Sequence, residues 1–259
     1  ARALETCRVF QTWQGKRAKR TVLIFAAPIH MGGNTPVEFL LRDADLDVVT
    51  YYLDPELSPD ATPPLPDYDV AFCAVPADTE QTPAFFENVR KLTKSTGRPT
   101  LNLPTDLVQL NRDTVDQTFR NVSGLRVPQT QRITRQSLET AIRAGAEEAC
   151  LTGLGGYPYV IRPVGSHAGL GLSKVCSRAE LTAYLTSRAE PEYYVSAFIN
   201  YASPNDGQFR KYRIVFVDGQ AFPVHMAISD QWDVWYMNAK MKDCPEKRRE
   251  EAAFMAQFA

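Results

Sequence analysis

Residues 21–27 read Thr-Val-Leu-Ile-Phe-Ala-Ala, apolar without a break after the threonine. A strand with one wet face alternates apolar and polar residues. An unbroken run instead fits a strand covered on both faces, as in a parallel sheet with helices above and below. The next residues agree with that reading. Pro28 to Asn34 is a loop containing Gly32 and Gly33, and Thr35-Pro36-Val37-Glu38 has the form of a helix start. Thr35 is a capping residue, Pro36 suits the first helical position, and Glu38 completes a capping box. Residues 21–44 therefore read as strand, glycine loop, helix.

The signature repeats. Asp47–Leu53 and Asp69–Val75 are further apolar strands, separated by a proline-rich loop from Pro55 to Pro66. Pro83–Ser95 sets Phe85, Phe86, Val89 and Leu92 at helical spacing, and Pro99–Leu103 is another short strand. Strands alternating with helices predict a small doubly wound α/β unit over residues 21–104. The twenty residues before it read as a linker or helix, and the basic run from Lys16 to Arg20 as a solvated segment. Thr105–Val122 predicts one more helix. Then the texture changes. Residues 126–134 look extended and 136–149 helical. Strands follow at 157–163 and 172–176, and Ser177-Arg-Ala-Glu180 is a second capping box opening a helix. A strand at 193–201 precedes a hairpin of 210–217 and 220–228 that turns on Asp218-Gly219. Residues 232–237 read as a last strand, with Trp232, Trp235 and Tyr236 in a core. This half is antiparallel-rich α+β. The expected division is 1–20, 21–104 and 105–259, an α/β unit followed by an α+β domain.

Composition narrows the function classes. A formal net charge of −1 over 259 residues offers no bulk attraction to nucleic acid or to an anionic membrane. No 18-residue apolar stretch is present, so no membrane partner is expected. Cys7, Cys73, Cys150, Cys176 and Cys244 have no metal-ligand or redox spacing, and Cys73 and Cys176 read as small hydrophobes. Such usage fits a reducing, cytoplasmic compartment. His30, His167 and His225 are too far apart to suggest a zinc site. His30 sits where the first strand ends, a favoured ligand position in an α/β unit.

The most informative stretch is Tyr157–Val175. It contains an apolar strand with Arg162, then Gly165-Ser-His-Ala-Gly-Leu-Gly171, then a second strand. A tight turn needs one glycine or two. Three glycines with a hydroxyl and an imidazole suit a loop lying against an anion, because glycines let backbone N–H groups approach oxyanions. Ser166 adds a donor, and Arg162 adds a cation four residues earlier. The loop is neither a Walker loop nor a Rossmann fingerprint. Two readings stay open: a phosphate cradle, or a hairpin whose glycines serve turn geometry. His167 is likewise open between a phosphate or substrate contact and a lone surface imidazole.

The order of these features resembles the ATP-grasp superfamily, in particular glutathione-synthetase-like carboxylate–amine ligases. The resemblance is carried by Tyr157-Pro-Tyr-Val-Ile-Arg162-Pro163, the Gly165–Gly171 loop, the helix from Ser177 and the strand Tyr193-Tyr-Val-Ser-Ala-Phe-Ile199. Asn102-Leu-Pro104, Arg112 and Val127-Pro-Gln-Thr130 look like the entry to the grasp domain, and Arg210-Lys-Tyr-Arg213 before Val-Phe-Val-Asp-Gly looks like its late basic strand. The likeness spans roughly residues 21–240.

The resemblance implies ATP and Mg2+ as cofactors. It implies transfer of the γ-phosphate to a small-molecule or peptide carboxylate, then attack by a nucleophile acceptor on the acyl phosphate. It carries roles to single positions. Arg162 takes the place of a lysine near the α-phosphate and adenine, and Arg112 that of a second cation. Ser166, His167, Gly169 and Gly171 would lie against phosphates. The backbone at Ala197, Phe198 and Ile199 would meet adenine, although Ser196 and Ala197 replace the usual acidic residues. Asp206 or Asn205 would meet ribose, with a turn role as the alternative. Arg213 is the catalytic candidate, a cation stabilising charge that builds in phosphoryl transfer. The Glu-x-Asn metal pair expected after Asp230 is not found, so the metal ligands stay unassigned. The chain starts at Ala1 and stops within a helical run at Ala259, which reads as a fragment ending before the metal strands; loss of catalysis is the other reading. Enzyme activity is thus tied to a longer parent supplying those ligands. A non-catalytic nucleotide-binding module and an α/β protein binding an acidic metabolite remain as alternatives. A homo-oligomer is compatible with either.

Overall fold

The computed structural model describes residues 8–29, 33–54, 63–77, 81–104, 111–167 and 169–258. Ala1–Ala197 and Phe198–Ala259 form two compact units. The expected boundary near residue 104 falls inside the first unit, between its two sheets.

The run at 21–27 is the centre of the first sheet. β2 (Thr21–Ala26) is buried from Val22 onward. β3 (Asp47–Tyr52) lies parallel to it on one side, with Leu23 opposite Val49. β4 (Val70–Cys73) lies parallel on the other, followed by the two-residue β5 (Thr100–Leu101). β1 (Val9–Trp13) joins β3 antiparallel and completes the order β1-β3-β2-β4-β5. Residues 9–13 are therefore an edge strand rather than linker or helix. Four of the five are exposed, which leaves no apolar run to read.

Both faces of the sheet are covered, as the run at 21–27 requires. Leu23, Phe25, Val49, Tyr51, Ala71 and Cys73 meet Phe85, Phe86 and Val89 of one helix, Thr82–Thr93. Burial pushes the Cys73 thiol up to about 11, consistent with an inert apolar role. On the other face Val22, Ile24 and Val48 meet Val37. Val37 begins α1 (Val37–Leu40), which is only one turn long, and Thr82–Thr93 is α2. The capping box expected at Thr35 does not form, since no side chain caps α1. Thr35 instead donates its N–H to the Ala74 carbonyl at 2.7 Å. Asn34 closes the strand end by accepting from the Ala27 N–H and donating to the Ala27 carbonyl, both at 2.9 Å. Asn102, at φ 56°, reaches the Cys73 carbonyl at 2.7 Å and fixes the exit of β5.

The helix expected from Thr105 is α3 (Val115–Phe119), and residues 105–110 lie outside the described ones. A second sheet follows, built from β6 (Thr130–Thr134), β7 (Tyr159–Pro163), β8 (Ser173–Val175) and β9 (Glu192–Ala197). It is antiparallel throughout, in the order β6-β9-β7-β8. The single helix expected at 136–149 is two. α4 (Arg135–Ala144) ends at Gly145, whose φ of 65° suits a left-handed C-cap, and α5 (Glu147–Cys150) follows. Leu138, Leu151, Tyr159, Ile161, Val175, Tyr193 and Val195 pack with Leu181 and Leu185 of α6 (Arg178–Thr186). Ser177 caps α6 by accepting from the Glu180 N–H, and the Glu180 carboxylate accepts from the Cys176 N–H at 2.8 Å. The capping box is thus present, reaching one residue further back than usual.

α5 and α6 are joined by an ion pair. The buried Glu147 accepts from Arg178 Nε at 2.7 Å, and the Tyr157 hydroxyl lies 3.5 Å from the same oxygen. The Arg178 hydrogen bond holds the Glu147 carboxyl below the usual carboxylate range against the opposing effect of burial. A carboxyl depressed in the folded state contributes stability above its unfolded pKa, and that contribution disappears as pH falls through the folded value. We expect the urea midpoint to fall on acidification below about pH 4, the ordinary carboxylate range. In Arg178→Gln burial is left to dominate, so the acid-side slope should flatten or reverse. An unchanged slope in urea titrations across pH would refute this role.

The second unit is organised by a hairpin. β10 (Phe209–Val217) and β11 (Gln220–Ser229) turn on Asp218 and Gly219, with φ of 50° and 76°. Two consecutive positive φ values are those of a type I′ turn. The strand expected at 232–237 is a set of turns instead. Side chains satisfy backbone groups of β11 that β10 does not. Glu251 accepts the Met226 N–H at 3.1 Å and Met241 Sδ accepts the Ile228 N–H at 3.4 Å. Lys247 donates to the Ile228 carbonyl at 2.8 Å. Glu251 and Lys247 come from α7 (Pro245–Gln257). Met226, Ala227, Ile228, Val234, Ala239 and Met241 form the small core there. Tyr236 packs against that core, while Trp235 is 59% exposed and is not part of one.

Candidate functional site

β7 sends Tyr159, Ile161 and Pro163 into the core of its sheet. Val160 and Arg162 therefore point to the opposite face. Register identifies their neighbours. Arg162 stands opposite Tyr194, which stands opposite Arg132; Val160 stands opposite Ser196 and Lys174. One face thus carries Arg132, Arg162 and Lys174 around Tyr194, Ser196 and Thr130. The hydroxyls of Thr130 and Ser196 share a hydrogen bond of 2.9 Å, and Arg132 is paired with Glu192. Lys174 had gone unnoticed in the sequence. Only the pairing of β7 with β8 puts it on the face of Arg162.

Arg162 and Ser166 were both expected to face an anion, and the fold brings them together. Arg162 Nε donates to Ser166 Oγ at 3.1 Å, and Nη2 donates to the Ser166 carbonyl. The Ser166 hydroxyl donates to the Pro163 carbonyl at 2.8 Å. The arginine therefore holds the start of the glycine loop. His167, half-buried, accepts the Leu170 N–H at 2.9 Å on its carbonyl.

The three glycines are not equivalent. All have positive φ, at 72°, 77° and 68° for Gly165, Gly169 and Gly171. A Cβ at Gly165 or Gly169 would meet nothing within 4 Å. At Gly171 it would lie 2.7 Å from Pro163 Cδ and 2.8 Å from Arg188 Cζ. The Tyr184 hydroxyl also donates to the Gly171 carbonyl at 2.6 Å, and burial pushes that phenol up to about 12. The far end of the loop is locked to α6 and Arg188, while Gly165 and Gly169 have open space around them.

The remaining expected residues are dispersed along the chain. Arg112 is half-buried in the turn before α3. Ala197 ends β9 with its side chain against the sheet core. Phe198, Ile199, Asp206 and Arg213 belong to the second unit. Phe198 meets Trp232 edge-on at 5.7 Å. Asp206 is engaged by both terminal nitrogens of Arg210, at 3.2 and 2.7 Å, and by the Gln208 N–H at 2.9 Å. Arg210 holds its carboxyl far below the usual range. These are the bonds of a turn residue. Arg213 is exposed on β10, and no carboxylate pairs with it among the described residues. His30 lies outside the described residues.

Among the described residues, no group of three or more His, Cys, Asp or Glu side chains could hold a metal ion. No helix among them is long and apolar enough to cross a membrane.

No family model matches the chain, and no curated protein matches it. Solved structures do resemble it. One is a D-alanine–D-alanine ligase from Bacillus anthracis complexed with ATP, at 14% identity over 93% of this chain and 78% of that one, with a TM-score of 0.39. Another is the VanG D-Ala:D-Ser ligase from Enterococcus faecalis, at 14% identity over 92% and 81%, with a TM-score of 0.47. A third is a RimK domain ATP-grasp protein from Sphaerobacter thermophilus, at 18% identity over 89% and 81%, with a TM-score of 0.45. Scores of this size leave the functional argument to the chain's own residues.

Proposed function

We propose that this chain binds ATP and belongs to an ATP-dependent carboxylate–amine ligase of the ATP-grasp kind. The observation that carries the reading is the joint geometry of Arg162 and the glycine loop. A cation on the sheet face away from the core grips the first turn of a loop in which Gly165 and Gly169 have open space where a side chain would stand. Such a loop can offer N–H groups to phosphate oxygens without steric obstruction. Lys174 adds charge on the same face; separately, in the second unit, Arg213 has no carboxylate partner among the described residues. In the reaction the γ-phosphate passes to a substrate carboxylate, and a nucleophile displaces it from the acyl phosphate. The protein's part is positioning and charge neutralisation. Mg2+ would ordinarily share that task, but the described carboxylates do not assemble a site for it, and no step is assigned to it here. The second reading is a nucleotide-binding module without catalysis.

Two measurements separate the readings. ATP or ADP should raise the melting temperature under both. Carboxylate-dependent ADP release, assayed over a panel of amino acids and short peptides, is expected only of the ligase. A chain whose melting ignores nucleotide would exclude both and leave the acidic-metabolite protein.

The loop allows a sharper check. Gly169→Val adds a side chain in open space at a left-handed backbone position, which costs about 1–2 kcal/mol. We expect little further loss of stability, but a clear loss of the nucleotide-induced rise in melting temperature, because the side chain covers the backbone that phosphates would approach. An intact rise would favour the turn-geometry reading of the loop.

A further inference from the structure

The hairpin of the second unit holds a group that the reading above does not use. Arg213 on β10 stands directly opposite His225 on β11. Directly paired residues of an antiparallel ladder point to the same face with Cβ atoms about 5 Å apart. Lys211, two residues before Arg213, shares that face and stands opposite Ala227. The ladder is irregular at this point, because Arg213 pairs with His225 but Ile214 pairs with Pro223, so Val224 is an extra residue on β11. Bulges of this kind re-aim neighbouring side chains. The His225 ring is held by an edge-on contact with Tyr236 at 5.3 Å. Tyr236 in turn donates to Glu251 at 3.2 Å. His225 Nδ1 is buried and has no hydrogen-bond partner among the described residues.

We propose that His225 is part of an oxyanion subsite with Arg213 and Lys211, and that its unpartnered ring nitrogen takes up a proton when an anion of the phosphate class binds there. The inference rests on the reading of Arg213 as a phosphate-facing cation and adds the proton coupling. The groups that face His225 set the direction. Lys211 and Arg213 on β10 oppose a third positive charge, Glu251 on α7 favours it, and Tyr236 is a neutral neighbour. Burial first, and then Arg213, hold the imidazole below its ordinary pKa. Lys211 is also pushed down, by burial and by Arg213. An anion on this face cancels the repulsion between the cations. The imidazole pKa then rises, and a proton moves from solvent to the ring. Linkage fixes the sign: anion affinity increases as pH falls through the bound-state pKa of His225 and levels off below its free-state pKa.

The test is an NMR titration of the whole chain, labelled at histidine Cε1, with and without inorganic pyrophosphate at constant ionic strength. Loss of one resonance in His225→Gln assigns the signal. If that variant does not fold, His30→Gln and His167→Gln assign it by elimination. The His225 midpoint is expected below the ordinary histidine value without pyrophosphate and about one unit or more higher with it. Measured against His225→Gln, which carries the probe's own protonation at about pH 6, pyrophosphate affinity should then rise about tenfold for each unit of that displacement as pH is lowered. Arg213→Gln, an exposed change, should abolish the displacement. A midpoint indifferent to pyrophosphate, or equally displaced in Arg213→Gln, overturns the inference. ATP-dependent stabilisation with an unresponsive His225 rejects it while leaving the ligase reading in place. A responsive His225 in a chain that ATP does not stabilise does the reverse.

Discussion

Arg162→Ala is expected to weaken nucleotide binding by about 1–3 kcal/mol, roughly 5- to 150-fold in Kd. The change removes two things together. One is a cation on the sheet face where a phosphate would lie. The other is the pair of hydrogen bonds that hold Ser166 at the entrance of the glycine loop. Arg162→Lys separates them. A lysine keeps the charge but lacks the planar fork that reaches the Ser166 hydroxyl and carbonyl at once. If charge dominates, Lys restores most of the affinity; if loop placement dominates, it restores little. Arg162 lies on the face away from the buried Tyr159 and Ile161, so the nucleotide-free melting temperature should change far less than the affinity. Calorimetric titration with ADP reads the effect. Undiminished affinity in Arg162→Ala would remove this strand from the site.

Gly171→Val should produce the largest loss of stability in the loop, about 2–5 kcal/mol in urea denaturation. The left-handed backbone at φ 68° costs a β-branched residue about 1–2 kcal/mol, and overpacking adds about 1–3. Arg188 can swing its guanidinium aside at the expense of its pairing with Glu190. Pro163 cannot yield in the same way, because its ring is buried within the sheet and its Cδ would lie 2.7 Å from the new Cβ. Displacing residue 171 also disturbs the hydrogen bond from Tyr184 to its carbonyl. Gly169→Val is the matched control, with the same backbone strain and open surroundings. Equal destabilisation by the two changes would mean that the contacts at Gly171 do not hold in solution.

The contrast between these glycines shows where sequence reading ends. All three look alike in the string of residues, and only the tertiary neighbours Pro163 and Arg188 single out Gly171. β2 was legible because its whole length is apolar, a demand that only a doubly covered strand meets. β1 was not, since its exposed side chains carry no periodic signal. The turn at Asp218-Gly219 was legible because few residue pairs tolerate two left-handed positions in succession. Thr35-Pro36 had the form of a helix cap, but the Thr35 N–H went to the neighbouring strand and Asn34 closed the corner. Trp232–Met237 has the aromatic content of a strand, yet the segment folds into bends and turns with Trp235 exposed. In the site, Arg162 and Ser166 were visible as an i, i+4 pair across the strand end. Lys174 was not, because its place depends on strand register, which spacing along one chain does not reveal; His225 could be read as a strand residue able to face a cleft, but its pairing with Arg213 could not.

The side chains lining the outer edge of β11 have a consequence for strand addition. Peptide groups at the rim of a sheet normally invite another strand, from the same protein or a neighbour. Around Met226 and Ile228 that invitation is withdrawn, because a carboxylate, a thioether and an ammonium already occupy the backbone donors and acceptor. Strand addition along this stretch would have to strip Glu251, Met241 and Lys247 from their bonds. One helix, α7, and Met241 just before it thus close this stretch of the β11 border to strand addition.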